Sequence, residues 1–224
     1  MMNSSFSSNI SIKSIKKFID NDGNVTTRVR SSGETLKQIS PVCDTIGVTR
    51  IADITYMDKL FIPNYSAFLP GTEDTIWVYG GKGHTKINAK TSALMESIER
   101  YCSFHSNNCK NIIRGTYYEL SRTYNKVLHA DEVVGPVLDS YNDKNSIVDY
   151  LSGFDILNNI EVLVPAQLVF SRYFPKSSAC IFPYSHTNGL ASGNMIEEAI
   201  CHALLEVIER DAASIADLCS SAIP

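Results

Sequence analysis

Two eleven-residue stretches hold the residues best suited to chemistry, Thr91–Tyr101 ("TSALMESIERY") and Cys201–Asp211 ("CHALLEVIERD"). Six of the nine inner positions are identical: Ala93/Ala203, Leu94/Leu204, Glu96/Glu206, Ile98/Ile208, Glu99/Glu209 and Arg100/Arg210. A helix turns about 100° per residue, so Ser92, Glu96 and Glu99 share one stripe while Ile87, Leu94, Ile98 and Tyr101 lie opposite. In the second stretch His202, Glu206 and Glu209 share a stripe, Glu198 lies one turn earlier, and Ile200, Leu204, Ile208 and Ile215 lie opposite. Each helix can therefore pack by an apolar face and present carboxylates on the other. Carboxylates on two facing helices suit a hard divalent cation, since Mg2+ takes such oxygens together with phosphate oxygens and water. Arg100 and Arg210, just past each acidic pair, can meet phosphate or orient the acids by ion pairing. The plainer alternative is a pair of solvated helix faces. Against it, the same chemistry is written twice, and five acids face one arginine between Glu197 and Asp211. Each close like-charge pair costs about a few tenths of a kcal/mol unless a cation compensates.

The surrounding chain supplies elements to position these residues. Residues 1–25 are polar and Ser/Asn-rich and are expected to be flexible. Ser32, ahead of Glu34 and Leu36, predicts a capped amphipathic helix broken or kinked at Pro41. Short β-branched and aromatic runs follow in "GVTRIADIT", "KLFIPNYSAFLP" and "DTIWVYG", separated by turn formers such as Pro70-Gly71. The run "GGKGHTKINAKTSALMESIERYCSFHS" reads as a glycine-rich loop entering a helix of about five turns. A short helix is expected near Ser121–Lys126. Strands resume in "VDYLSGFDI" and "IEVLVPAQLVFSRY", a hairpin turning near Asn158-Asn159. After the glycine-rich "HTNGLASGN", a second long helix is expected over about Met195–Leu218. Strands, loop and long helix twice over predict an α/β or α+β duplication. Backbone N–H groups at the two loop-to-helix junctions offer anion sites.

The 224 residues suffice for one large domain or two small ones. With 44% hydrophobic and 20% charged residues, the composition is that of a soluble globular protein. A net charge of −4 without a Lys/Arg cluster argues against nucleic acid or an anionic membrane surface as partner. Six scattered cysteines without a CxxC pair, and no signal-peptide pattern at the start, predict a reducing, cytoplasmic setting. No run of about 18 apolar residues suggests a transmembrane helix.

"SALMESIER" resembles the SxxxExxER element of the YcaO family of ATP-dependent enzymes acting on peptide backbones. "GNMIEEAICHALLEVIERDA" is similar to that family's second element, an Asn, a Glu four residues on, and then ExxER. Supporting similarity runs from about Gly23 to Pro224. The resemblance implies a YcaO-like domain over residues 26–224 whose two carboxylate helices face a nucleotide site holding ATP and Mg2+. By position, Glu96, Glu99, Glu198, Glu206 and Glu209 would face Mg2+ and phosphate, with Ser92 and Asn194 as polar nucleotide contacts. Arg28, in "TTRVR", resembles a basic position near the phosphates. His202 stands where the family often has Gln. The "GGKGHT" segment is not the GxxxxGK[ST] phosphate loop, so Lys82 does not inherit that loop's role. No residue is assigned as a catalytic acid or base.

"ETLKQISPVCDTIGVTRIADIT" is similar to stand-alone archaeal members associated with thioamide (thioglycine) formation in methyl-coenzyme M reductase. The implied chemistry is addition of a sulfur or oxygen nucleophile to a backbone amide, attack of the resulting oxyanion on the γ-phosphate, and departure of phosphate from carbon. External sulfide then yields a thioamide, and a neighbouring Cys, Ser or Thr an azoline, as in the cyclodehydratases. Implied partners are a substrate protein or peptide, a TfuA-like protein or sulfide source, and a second copy. The family continues well beyond the second ExxER helix, so a C-terminal half encoded separately is a further expected partner. A nucleotide- or partner-binding remnant without catalysis is the second class of reading. A third is zinc at Cys102, His105 and Cys109, for which no fourth ligand is evident. His84, His129 and His186 form no Ser/His/Asp order that would indicate a hydrolase.

Overall fold

The computed structural model describes residues 12–14, 16–17, 28–57, 59–73, 76–104, 111–129, 132, 144–175 and 187–221. The segment expected to be flexible lies mostly outside the described residues, as do His105, Cys109 and His186. Within the stretch expected as one family domain, the chain separates into two compact units. The first comprises Ile15–Cys109, Phe170–Tyr173 and Ser185–Pro224, and the second Met1–Ser14, Lys110–Val169 and Phe174–Tyr184.

In the first unit, α1 spans Ser32–Ile46. Its cap is Ser31 rather than Ser32: the Ser31 hydroxyl accepts from Glu34 N at 3.2 Å, and Ser31 N donates to Glu34 Oε2 at 3.1 Å, a reciprocal capping box. Pro41 does not end the helix, so of the break or kink expected there the break is absent. The helix runs on until Gly47 closes it in the left-handed conformation, φ 97°. An internal proline costs about 3 kcal/mol, but here buried Cys43 and the half-buried Leu36 and Ile39 of α1 pack into the core on either side of it.

Strands β1 (Arg50–Asp53), β2 (Asn64–Phe68) and β3 (Val78–Lys82) form an antiparallel sheet in sequence order, with a 3₁₀ turn at Thr55–Met57. Helix α2 (Lys86–Ser103) lies on that sheet with Ala93 and Leu94 buried against Ala67 and Cys43. Burying a leucine fully contributes about 1.5–3 kcal/mol, which identifies this contact as the anchor of α2. The glycine-rich stretch ahead of α2 is in part a strand. A Cβ on Gly81 of β3 would lie 2.1 Å from Ala93 N and 2.3 Å from Ala89 O. Gly81 is therefore glycine because α2 sits directly on its backbone, not because a phosphate needs access.

The second unit holds β4 (Ile113–Thr116), β5 (Ile147–Asp155) and β6 (Ile160–Pro165), again antiparallel in sequence order. Its core is Val127, Val148, Tyr150 and Leu163. The β5–β6 turn falls where expected: Asp155 Oδ1 accepts from Leu157 N and Asn158 N, both at 3.1 Å, and Asn159 has φ 54°. The short helix expected near Ser121–Lys126 is instead α3, Tyr117–Leu120, capped by Thr116 and Glu119. Another four-residue helix, α4 (Ala166–Val169), follows β6.

The second long helix, α5, spans Ile196–Ser221. It belongs to the first unit, whereas β5 and β6 belong to the second. The duplication is thus one of helices, both within the first unit, and not of two self-contained strand–helix units. No described helix is long and apolar enough to cross a membrane.

Candidate nucleotide site

Three chain segments of the first unit converge on a cleft of about 1150 Å3. All ten residues singled out for the site line it: Arg28 ahead of α1; Ser92, Glu96, Glu99 and Arg100 on α2; Asn194 before α5; and Glu198, Glu206, Glu209 and Arg210 on α5. Thr91 Oγ1 donates to Ser32 O at 3.1 Å, tying α2 to the first turn of α1.

Glu198 is buried, and a buried carboxylate requires partners. Arg28 Nη1 lies 2.9 Å from its Oε1, Val29 N donates to Oε2 at 3.2 Å, and Asn194 Nδ2 reaches both oxygens at 3.3 Å. Thr35 Oγ1 donates in turn to Asn194 Oδ1 at 3.0 Å. This cluster joins the start of α5 to the start of α1, bringing Arg28, Asn194 and Glu198 together.

Across the cleft Glu206 of α5 bears on the acids of α2. Burial pushes the Glu99 carboxyl up to about 7; a hydrogen bond from Ser192 opposes the rise, Glu96 adds to it, Arg100 opposes it and Glu206 adds to it. Burial also raises Glu96, with Arg100 opposing and Glu206 adding. Glu206 thus influences both carboxylates of α2, and the two acidic stripes line one space. Arg210 Nη2 sits 2.5 Å from Glu206 Oε1 and also bonds Asn188, while Arg100 Nη2 lies 3.9 Å from Glu96 Oε1.

Two polar atoms in this cleft are buried without a hydrogen-bond partner, Arg100 Nε and Glu206 Oε2. Such orphans are costly unless something is meant to meet them. One is a donor suited to phosphate oxygen and the other an acceptor suited to a cation, so the donor set fits a magnesium-bound triphosphate. Among the described residues no three His, Cys, Asp or Glu converge tightly enough to hold a metal by themselves. Of the five carboxylates expected to face Mg2+, Glu198 is instead engaged by Arg28, Val29 and Asn194, and a Mg2+ ion here would take one or two of the others together with phosphate and water oxygens.

Two expectations about the helix faces need correction. Ile87, expected in the core, is exposed and lines the cleft. Leu204, Ile208 and Ile215 lie opposite the acids as expected but are exposed, because no described element covers that side of α5. The site also includes Ser192, whose hydroxyl lies 3.2 Å from Glu99 Oε2, together with Thr35, Arg30 and His84. For Ser192 and His84 the only signal in the sequence was their place in the two glycine-rich runs, and Thr35 and Arg30 carried none. His202 lines the cleft as well. Of the zinc candidate, only Cys102 lies among the described residues.

A profile of the family described as YcaO cyclodehydratase, ATP- and Mg2+-binding, matches residues 80–224. The chain belongs to the YcaO family. An uncharacterised protein of Methanothermobacter thermautotrophicus is 38% identical over 183 residues, covering 81% of this chain and 45% of the relative. A protein encoded in the tfuA 3′ region of Rhizobium leguminosarum bv. trifolii is 30% identical over 198 residues, 85% of this chain and 44% of the relative. The solved structure of YcaO from Methanopyrus kandleri, bound with AMPPCP and Mg2+, matches with TM-score 0.63 at 27% identity, over 85% of this chain and 46% of that one. A heterocyclase in complex with substrate and cofactor shares the YcaO fold at 17% identity, TM-score 0.65, over 88% of this chain and 29% of its own. The chain thus spans less than half the length of the curated relatives it matches.

Proposed function

We propose that this YcaO chain binds MgATP in the cleft between α2 and α5 and takes part in O-phosphorylation of a peptide backbone amide, for thioamide formation. The observation that carries the reading is the meeting of two acidic helix stripes in one cleft, where Glu206 acts on both Glu96 and Glu99. When bound, MgATP supplies the phosphoryl group that converts an amide oxygen into a leaving group. Glu96 and Glu99 on one wall, with Glu206 and Glu209 on the other, provide the oxygen ligands. Arg100 offers its unpartnered Nε to phosphate, and Arg28 holds Glu198 in place at the mouth of α5. Ser92 and Asn194 provide polar contacts. The protein's contribution is alignment and charge neutralisation, as in phosphoryl transfer generally.

What supports the thioamide product is the resemblance of "ETLKQISPVCDTIGVTRIADIT" to stand-alone archaeal members and the tfuA 3′ region named for the Rhizobium relative, with a TfuA-like protein or sulfide source as the proposed partner. The substrate class is a protein such as methyl-coenzyme M reductase. The family description as cyclodehydratase favours azoline formation as a second reading. The test incubates the chain with MgATP, sulfide and an unmodified methyl-coenzyme M reductase subunit, following ADP release and substrate mass. Exchange of oxygen for sulfur is the expected result. Loss of water without sulfide would favour the azoline reading, and no ADP release at all would leave only a binding protein.

A further inference from the structure

The first turn of α1 touches both walls of the cleft. On one side Ser32 O accepts from Thr91 Oγ1 of α2 at 3.1 Å. On the other, Thr35 Oγ1 donates to Asn194 Oδ1, just ahead of α5, at 3.0 Å. A hydroxyl carries one proton. Thr35 Oγ1 also lies 3.0 Å from Ser31 O, but that carbonyl already accepts from Thr35 N at 3.0 Å, so Asn194 Oδ1 has the stronger claim. The Asn194 amide can face only one way. Its Nδ2 lies 3.3 Å from both oxygens of Glu198, and a reversed amide would set Oδ1 against that carboxylate. The oxygen end must therefore find its donor elsewhere, and Thr35 supplies it. At 4% exposure Thr35 offers a ligand little surface, so it acts through Asn194.

Two other ties reach this region, and neither duplicates the first. Ser192 Oγ lies 3.3 Å from Met95 O and 3.2 Å from Glu99 Oε2, so it leans on a carboxylate that a cation would claim. The ion pair of Arg28 with Glu198 holds α5 from the segment ahead of α1 rather than from α1 itself. The link from Thr35 joins α5 directly to the helix that is tied to α2, and it engages no expected cation ligand except by way of Asn194. We propose that Thr35 is a positioning residue of the nucleotide site: its hydroxyl fixes the Asn194 amide, and the fixed amide sets α5, with Glu206 and Glu209, at the separation from α2 that MgATP requires. The proposal deepens the MgATP reading and rests on it, and it does not depend on which amide product is made.

Thr35→Val keeps the side-chain shape and removes the donor, whereas Thr35→Ser keeps the donor and removes a methyl group. Calorimetric titration of the full chain with MgATP should show binding roughly tenfold weaker in Thr35→Val and restored in Thr35→Ser. Because Thr35 acts through Asn194, adding Thr35→Val to Asn194→Ala should weaken binding no further. In the ligand-free chain, amides over 197–206 of α5 should exchange faster in Thr35→Val than in wild type or Thr35→Ser. Those over 90–100 of α2, anchored by Leu94 in the core, should not change. The proposal is overturned if Thr35→Ser binds as weakly as Thr35→Val, or if the losses from Thr35→Val and Asn194→Ala add, as they would for a direct contact with the nucleotide. A wild-type chain that binds no MgATP would defeat the nucleotide reading first, and unchanged exchange over 197–206 would separately defeat the coupling of Thr35 to α5.

Discussion

Glu99→Gln is expected to make the ligand-free chain more stable at pH 8 while abolishing its response to MgATP. Burial raises the Glu99 carboxyl from the ordinary 4.5 to about 7. The folded state therefore holds this proton more tightly than the unfolded chain does. Its relative stability is intact below 4.5, declines as pH rises toward 7, and stays reduced above that. At about 1.4 kcal/mol per pK unit, the upper bound is about 3 kcal/mol. Because Glu99 is only partly buried and opens on a cleft, solvent screening reduces this to about 1–2 kcal/mol. For a chain of this size that is a rise of about 3–6 °C in Tm. Melting curves at pH 5 and pH 8, with and without MgATP, would measure it. Wild type should melt lower at pH 8 than at pH 5 by this margin, and Glu99→Gln should lose that difference. Saturating MgATP should raise only the wild-type Tm. A variant less stable than wild type at pH 8, or one that keeps its MgATP-induced shift, would refute the account of Glu99 as a strained cation ligand.

Arg28→Ala leaves buried Glu198 without its guanidinium partner and should cost about 1–3 kcal/mol in urea unfolding while weakening MgATP binding. Gly81→Ala drives a Cβ into the backbone of α2 and should cost about 3 kcal/mol or more, as overpacking does at a site that cannot yield. Gly80→Ala, with nothing within 4 Å, should stay within about 1 kcal/mol; denaturant midpoints compare the two. At a hundredfold excess over Kd, MgATP should add about 2.7 kcal/mol of stability, and ATP with a chelator should add far less, as differential scanning fluorimetry would show.

Much of the site was legible because helical spacing is a rigid code. Once Glu96, Glu99, Glu206 and Glu209 are placed on helices, only their shared stripes are possible, and all ten named residues do line one cleft. The Asn158-Asn159 turn was legible for a similar reason, since Asn tolerates the left-handed backbone found at Asn159. What failed were judgements that depend on packing at a distance. Pro41 allows a break or a kink, and that the helix is not broken there is understood only when Cys43, Leu36 and Ile39 are seen in one core. Gly81, in the run before α2, owes its identity to the backbone of Ala89 and Ala93, a close approach no local pattern spells, while Gly83 of the same run does line the cleft. Thr116 and Glu119 did spell a capping box, so the misplacement of the short helix was a missed local signal. Ser192 carried no signal of its own, because a serine in a glycine-rich run gains a role only when α2 brings Glu99 within 3.2 Å.

The two walls of the cleft are held unequally, and this bears on how the site operates. Helix α2 is clamped between the sheet, through Gly81 and Leu94, and α1, through Thr91 and Ser32. Helix α5 is fixed at Asn194 and Glu198, and Glu206 and Glu209 lie two and three turns beyond that anchor, where the recorded tie is the bond of Arg210 to Asn188, on a helix with an exposed back. A cation and triphosphate need both walls at a set separation, so part of their binding energy in the lone chain goes into holding α5 in place. Cover over Leu204, Ile208, Ile215 and Leu218 would do the same work in advance and leave that energy available for affinity. Because such coupling is reciprocal, MgATP must then tighten the grip of whatever covers that face by the same factor.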